Sequence, residues 1–167
     1  KNVTILVHVD GSISIADDGR GIPVGVKADT GKSTLEEALT IAGSSGKFNN
    51  DAYRTSAGLH GMGAKAMNAL SEWCEAEVRR EGRVYKMEFA RGKAVSELKD
   101  VGPAPHGQTG TTITFKPDPE KFGDLQFSYE KLATRFQQIA YLNKNLRLSV
   151  RDERDGRADS FFSEAGI

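Results

Sequence analysis

The sequence predicts an α+β domain of two layers, a mixed and mostly antiparallel sheet with helices on one face. Three observations predict it. Short runs of alternating apolar and polar residues recur around Asp-Gly and Glu-Gly turns, the pattern of β-hairpins. Other stretches place apolar residues at helical spacing behind capping residues. The 167 residues also match the length of a single ordinary domain, one able to bury about 70% of its unfolded surface.

Each element follows from its residues. Val3, Ile5, Val7 and Val9 alternate with Thr4, Leu6, His8 and Asp10, a half-buried strand, and Asp10-Gly11 turns it into a second run through Ile13 and Ile15 up to Asp17. The chain opens on Lys1 directly into this strand, so it reads as a piece cut from something longer. Residues 18–32 carry Gly19, Gly21, Pro23, Gly25 and Gly31, too many breakers for a regular element. Ser33 and Glu36 then form a capping box ahead of Leu35, Ala38, Leu39 and Ala42, an amphipathic helix. Gly43 to Gly63 is a second stretch rich in Gly, Ser and Asn that delivers the chain to a helix over Ala64 to Leu70. Glu75 to Arg80, the Glu81-Gly82 turn and Arg83 to Phe89 form another hairpin, and Thr111 to Phe115 a further strand. Tyr129, Leu132, Phe136 and Ile139 share one face of a helix over Phe127 to Leu142. Leu146 to Val150 and Arg157 to Phe162 close the chain as a hairpin through Asp155-Gly156.

Composition excludes several functions. Hydrophobic residues at 38% and charged residues at 28% are those of a globular domain rather than a disordered chain. The 23 basic residues balance the 23 acidic ones, so no net field draws this domain to nucleic acid or to an anionic membrane. No apolar run approaches a membrane span and no signal-peptide pattern opens the chain, which points to the cytoplasm. A lone cysteine, Cys74, excludes an internal disulfide and a multi-thiolate metal site, and beside Trp73 it reads as a small buried hydrophobe.

Three segments are candidates for chemistry. Gly31-Lys32-Ser33-Thr34 imitates the end of a phosphate-binding P-loop, but Val26 stands where that loop needs glycine and Pro23 interrupts the strand that should precede it. In Asp17-Asp18-Gly19-Arg20-Gly21-Ile22-Pro23 an acidic pair leaves a strand beside a small apolar floor. Its carboxylate either accepts from an exocyclic amine, a charge-assisted bond of ~1.5–3 kcal/mol, or caps the turn. Gly58-Leu59-His60-Gly61-Met62-Gly63 leads into a helix whose first amides lack intrahelical partners and so favour an anion, although mobile surface loops share that composition.

Together, DDGRGIP, GKF, YRTSAGLHGMGAK, RREG and TGTTITF resemble the nucleotide-binding domain of the gyrase B and topoisomerase IV family, within the GHKL superfamily, along essentially the whole chain. The resemblance implies a GHKL (Bergerat) sandwich spanning 1–167 as one domain, without the transducer domain that follows it in the family. It implies that Asp17 accepts the adenine amine, supported by Thr111 and Gly21, with Ile22 and Pro23 flooring the pocket. Lys47 and Tyr53 would reach the nucleotide, and Gly58, Leu59, His60, Gly61, Met62 and Gly63 would form a lid over the phosphates. Arg20 and Arg80 would rim the pocket where coumarin-type inhibitors of the family bind. ATP is the implied ligand and Mg2+ the implied metal. The family places both the glutamate that activates water and the asparagine that binds magnesium on a helix before this first strand. No catalytic residue and no metal ligand is therefore expected among these 167 residues, which alone should bind ATP, hydrolyse it negligibly and stay monomeric. The parent would be an ATP-dependent type II DNA topoisomerase and antibiotic target, closing a gate for strand passage with a gyrase A-like or ParC-like subunit. Arg54, where bacterial members usually have lysine, and Met62-Gly63-Ala64-Lys65, closer to the eukaryotic lid, depart from the bacterial pattern. The rival readings are another GHKL ATPase or kinase, and a trimmed module that binds nucleotide or inhibitor without catalysis.

Overall fold

The computed structural model describes residues 1–40, 61–123 and 126–164. In chain order these hold β1 (Asn2–Val7), β2 (Ile13–Asp17), α1 (Thr34–Thr40), α2 (Gly61–Ala69), β3 (Ser71–Arg80), β4 (Arg83–Ala90), β5 (Lys93–Ala94), β6 (Lys99–Pro103), β7 (Gly110–Pro117), α3 (Pro119–Phe122), α4 (Tyr129–Leu142), β8 (Arg147–Asp152) and β9 (Ala158–Phe162). The strands form one sheet in the order β5-β4-β3-β7-β2-β1-β8-β9, with β6 also paired to β4. Every pairing is antiparallel except β1 with β8, which is parallel.

The register decides which face is buried. Cys74, Phe115 and Ile13 lie in line across β3, β7 and β2, as do Ala76, Ile113 and Ile15, and the line continues through Ile5 to Val150. All of these side chains point to one side, where α1 covers the β3–β7 end and α4 the β1–β8 end. The helices therefore share one face, as the sequence pattern predicts. On α1 the buried residues are Thr34, Leu35, Glu37, Ala38 and Leu39, and on α4 the apolar row Tyr129, Leu132, Ala133, Phe136, Ile139 and Ala140 meets the sheet. The opposite face is polar: Ser14 and Thr114, side by side on β2 and β7, share a hydroxyl hydrogen bond of 2.7 Å there.

Local chemistry sets the element ends. The first strand stops at Val7 rather than Val9, which is 74% exposed. The reason is a wider turn, in which His8 N–H donates to the Ser12 carbonyl at 2.9 Å and Gly11 takes φ +89°. Ser33 caps α1 by accepting from Glu36 N–H at 3.1 Å, while Lys32 is exposed and pairs with Glu36, so the P-loop imitation is a helix start. Glu81 and Gly82 both take positive φ in the two-residue turn of the β3–β4 hairpin. The hairpin expected at the end of the chain is β8–β9. Sequence patterning misses β5 and β6, short exposed strands without apolar alternation. Cys74 is 1% exposed and burial pushes its thiol up to about 12, the behaviour of a packed hydrophobe.

Candidate functional site

The backbone pairing of β2 with β7 gives out at the end of β2. Its ladder to β7 stops at the pair Ala16–Thr112, whereas β3 stays paired with β7 as far as Arg79–Gly110. Asp17, the last residue of β2, is 5% exposed just past the last ladder pair. Its carboxylate takes over part of the missing ladder. Oδ1 accepts from Gly19 N–H at 2.9 Å and from Thr111 N–H at 3.3 Å. Oδ2 is buried and has no hydrogen-bond partner among the described residues. A buried acceptor left unsatisfied costs about 1–3 kcal/mol, and more when charged, so this oxygen is held ready for a donor that arrives from outside.

The loop after Asp17 supplies the wall. Gly21 has φ +84°, and a Cβ there would stand 2.8 Å from the Arg79 carbonyl oxygen and 3.0 Å from Val78 Cγ1. Only glycine lets this loop lie against the end of β3. Ile22 then drops into the core beside Leu35 and Val78, and its N–H donates to Thr111 Oγ1 at 3.0 Å. The Thr111 hydroxyl accepts there and keeps its own hydrogen to donate. Pro23 is half-buried behind Ile22. At the rim, Arg80 Nη1 donates to the Gly21 carbonyl at 2.7 Å, while Arg20 is exposed.

The structure thus brings together Asp17, Gly21, Ile22, Thr111 and Arg80, with Pro23 and Arg20 on the same loop. Lys47, Tyr53, Arg54, Gly58, Leu59 and His60 lie outside the described residues. Gly61, Met62 and Gly63 correct one boundary: they form the first turn of α2, which starts at Gly61 and not at Ala64. Their amides still belong to a helix N-terminus, where the first N–H groups lack intrahelical acceptors.

Two residues that secure α2 are not legible as such in the sequence. Asn68 is fully buried and its Nδ2 donates to the Leu39 carbonyl of α1 at 3.1 Å. Lys65 is 8% exposed; burial lowers its pKa from the ordinary lysine value, against the opposing charge of Glu37. Lysine and asparagine at helical positions read as surface residues, and only the α1–α2 contact reveals them as internal.

Chemically, the residues gathered at the end of β2 offer a bare carboxylate oxygen, a hydroxyl donor, a small apolar surface and two arginines nearby. The set is complementary to a flat heterocycle that carries an amine next to a ring acceptor. Among the described residues no group of three or more His, Cys, Asp or Glu side chains stands close enough to hold a metal ion. No helix among them is long and apolar enough to cross a membrane.

Comparison with known proteins adds an independent line. The family model described as histidine kinase-, DNA gyrase B- and HSP90-like ATPase matches residues 1–121. The gyrase B protein of Thermus thermophilus is 44% identical over 165 residues, which is 99% of this chain and 26% of that protein. The B-type subunit of DNA topoisomerase 4 from Streptococcus pneumoniae is 42% identical over 99% of this chain and 26% of its own length. Among solved structures, the 43K ATPase domain of Thermus thermophilus gyrase B in complex with an aminocoumarin superposes with a TM-score of 0.87 at 38% identity, over 99% of this chain and 41% of that one. The chain spans about a quarter of the length of the curated relatives it matches.

Proposed function

The chain belongs to the family of histidine kinase-, DNA gyrase B- and HSP90-like ATPases, and on that premise we propose that it is the ATP-binding region of a type II DNA topoisomerase of the gyrase B kind. The observation that carries the reading is the bare Oδ2 of Asp17, a buried acceptor at the point where the β2–β7 ladder ends. The adenine amine donates to that oxygen. Thr111 O–H donates to the neighbouring ring nitrogen, directly or through a water, and Ile22 and Pro23 lie against the edge of the base. Guanine presents a carbonyl where adenine has its amine, so two acceptors would face each other and guanine nucleotides are rejected.

The resemblance directs the phosphates towards the glycine segment and assigns the lid to Gly58 to Gly63, with Lys47 and Tyr53 as further nucleotide contacts. The start of α2 offers its first-turn amides to the anion. Magnesium, when bound with the nucleotide, neutralises phosphate charge. The resemblance assigns the water-activating glutamate and the magnesium-binding asparagine to a helix ahead of β1. Residues 1–167 on their own bind nucleotide and turn it over negligibly. In the parent, ATP binding closes a gate during strand passage on DNA in the cytoplasm, with a gyrase A-like or ParC-like subunit as partner. Arg80 and Arg20 at the mouth are the contacts for an aminocoumarin, which competes with ATP.

Calorimetric titration tests this. ADP should bind at one site and be displaced by an aminocoumarin, GDP should not bind, and Asp17→Asn should weaken ADP about 100-fold. Equal binding of ADP and GDP would refute the reading.

A further inference from the structure

Arg79 does not share the face of the sheet that carries the Asp17 carboxylate. Cys74, Ala76 and Val78 of β3 point into the core, so Arg79 lies on the opposite, polar face of the sheet, with its side chain 15% exposed. From there its guanidinium reaches the end of β2. Nη2 donates to the Asp17 carbonyl at 3.3 Å, and Nη1 donates to Thr112 Oγ1 at 3.1 Å and to Glu77 Oε1 at 3.2 Å. One side chain therefore ties β2, β7 and β3 together at the level where the β2–β7 ladder gives out.

The path is kept open by a missing side chain. Gly110 on β7 has φ +141°, and a Cβ there would stand 2.0 Å from the Asp17 carbonyl oxygen and 2.9 Å from Arg79 Nη2. Any other residue would push the two apart. The carbonyl that Arg79 holds belongs to the peptide leaving Asp17, so its tilt sets the aim of the Asp17 side chain on the other face. A displacement of about an ångström is enough to lose a hydrogen bond to a fixed ligand.

We propose that Arg79 is a positioning residue for adenine recognition: it holds the Asp17 carbonyl from behind the sheet where the β2–β7 ladder ends, and so keeps the carboxylate in line with the 6-amino group. This deepens the function proposed above and rests on it. It also defines what Arg79 should not affect, since a nucleotide without the amine makes no use of Asp17 Oδ2.

The test is calorimetric titration of the chain and its Arg79→Ala and Arg79→Lys variants with ADP and with purine riboside diphosphate, which lacks the 6-amino group. Arg79→Ala should weaken ADP about tenfold and leave the deamino nucleotide within about twofold. Arg79→Lys retains a donor of shorter span and should weaken ADP about threefold, again without effect on the deamino nucleotide. That smaller shift carries the test alone if the alanine variant does not fold. In an Asp17→Asn background, Arg79→Ala should not change the ratio of the two affinities further. Equal weakening of both nucleotides, or unchanged ADP affinity, would overturn the proposal. If the unaltered chain itself fails to distinguish the two nucleotides, the fault lies with the reading of Asp17 rather than with Arg79.

Discussion

Asp17 and the pair Asp118 and Asp152 are all buried aspartates, yet they are treated in opposite ways. Asp118 and Asp152 are each 0% exposed, and both oxygens of each are bound. Asp118 accepts from Glu120 N–H at 3.0 Å and from Arg91 Nε at 2.9 Å. Asp152 accepts from Arg154 through its N–H, Nε and Nη2 at 2.8–2.9 Å. The arginine beside each holds its carboxyl below the usual carboxylate range. Asp17 has Arg79 within reach of its main chain, but among the described residues no cation meets its carboxylate, and one oxygen is left bare. Burial alone therefore does not mark function. Among these three aspartates, what marks Asp17 is burial without completion, because Asp118 and Asp152 are satisfied from within the fold.

Substitutions should separate the two kinds of aspartate. The largest expected effect is at Asp17: Asp17→Asn places a donor opposite the adenine amine and should weaken ADP about 100-fold, some 2–3 kcal/mol by calorimetry, with the thermal midpoint unchanged or raised. Asp118→Asn and Asp152→Asn should do the reverse. Each removes the buried carboxylate charge that an arginine pairs with and should lower the thermal midpoint by about 5 °C or more in a calorimetric scan, with ADP affinity of the folded protein within about twofold. A loss of ADP affinity in either variant as large as that at Asp17 would break the contrast.

Thr111→Val lies between these classes. It leaves the buried Ile22 N–H without an acceptor and removes the donor to the base, so urea denaturation should show a loss of ~1–2 kcal/mol and titration about tenfold weaker ADP. The smallest effect concerns pH. Asp118 and Asp152 have folded pKa values lowered from 3.8, so their stabilisation is fully present above that value and is lost as pH falls through the lower folded values. The urea midpoint should hold steady down to about pH 5 and fall below about pH 4, with a shallower fall in Asp152→Asn. A midpoint that rises on acidification would contradict the pairing.

Much of this architecture is legible in the residues themselves. The β1–β2, β3–β4 and β8–β9 hairpins follow from alternation and turn chemistry, α1 from apolar spacing and its serine cap, and α4 from apolar spacing. The parallel contact of β1 with β8 joins segments that no local pattern connects, so it emerges only from the packed sheet. The same division holds at the site. Asp17, Gly21, Ile22 and Thr111 are marked by motif, and the fold brings them together. That Oδ2 is bare, and that Arg79 reaches Asp17 over Gly110, depends on where the β2–β7 ladder stops, a property of strand register rather than of any one segment.

The most direct test is a crystal structure of the chain with ADP bound. The account predicts the adenine N6 within about 3 Å of Asp17 Oδ2, with Thr111 Oγ1 or a water it holds on the ring nitrogen. Adenine lodged elsewhere, or Asp17 Oδ2 still without a partner while the nucleotide is bound, would contradict it.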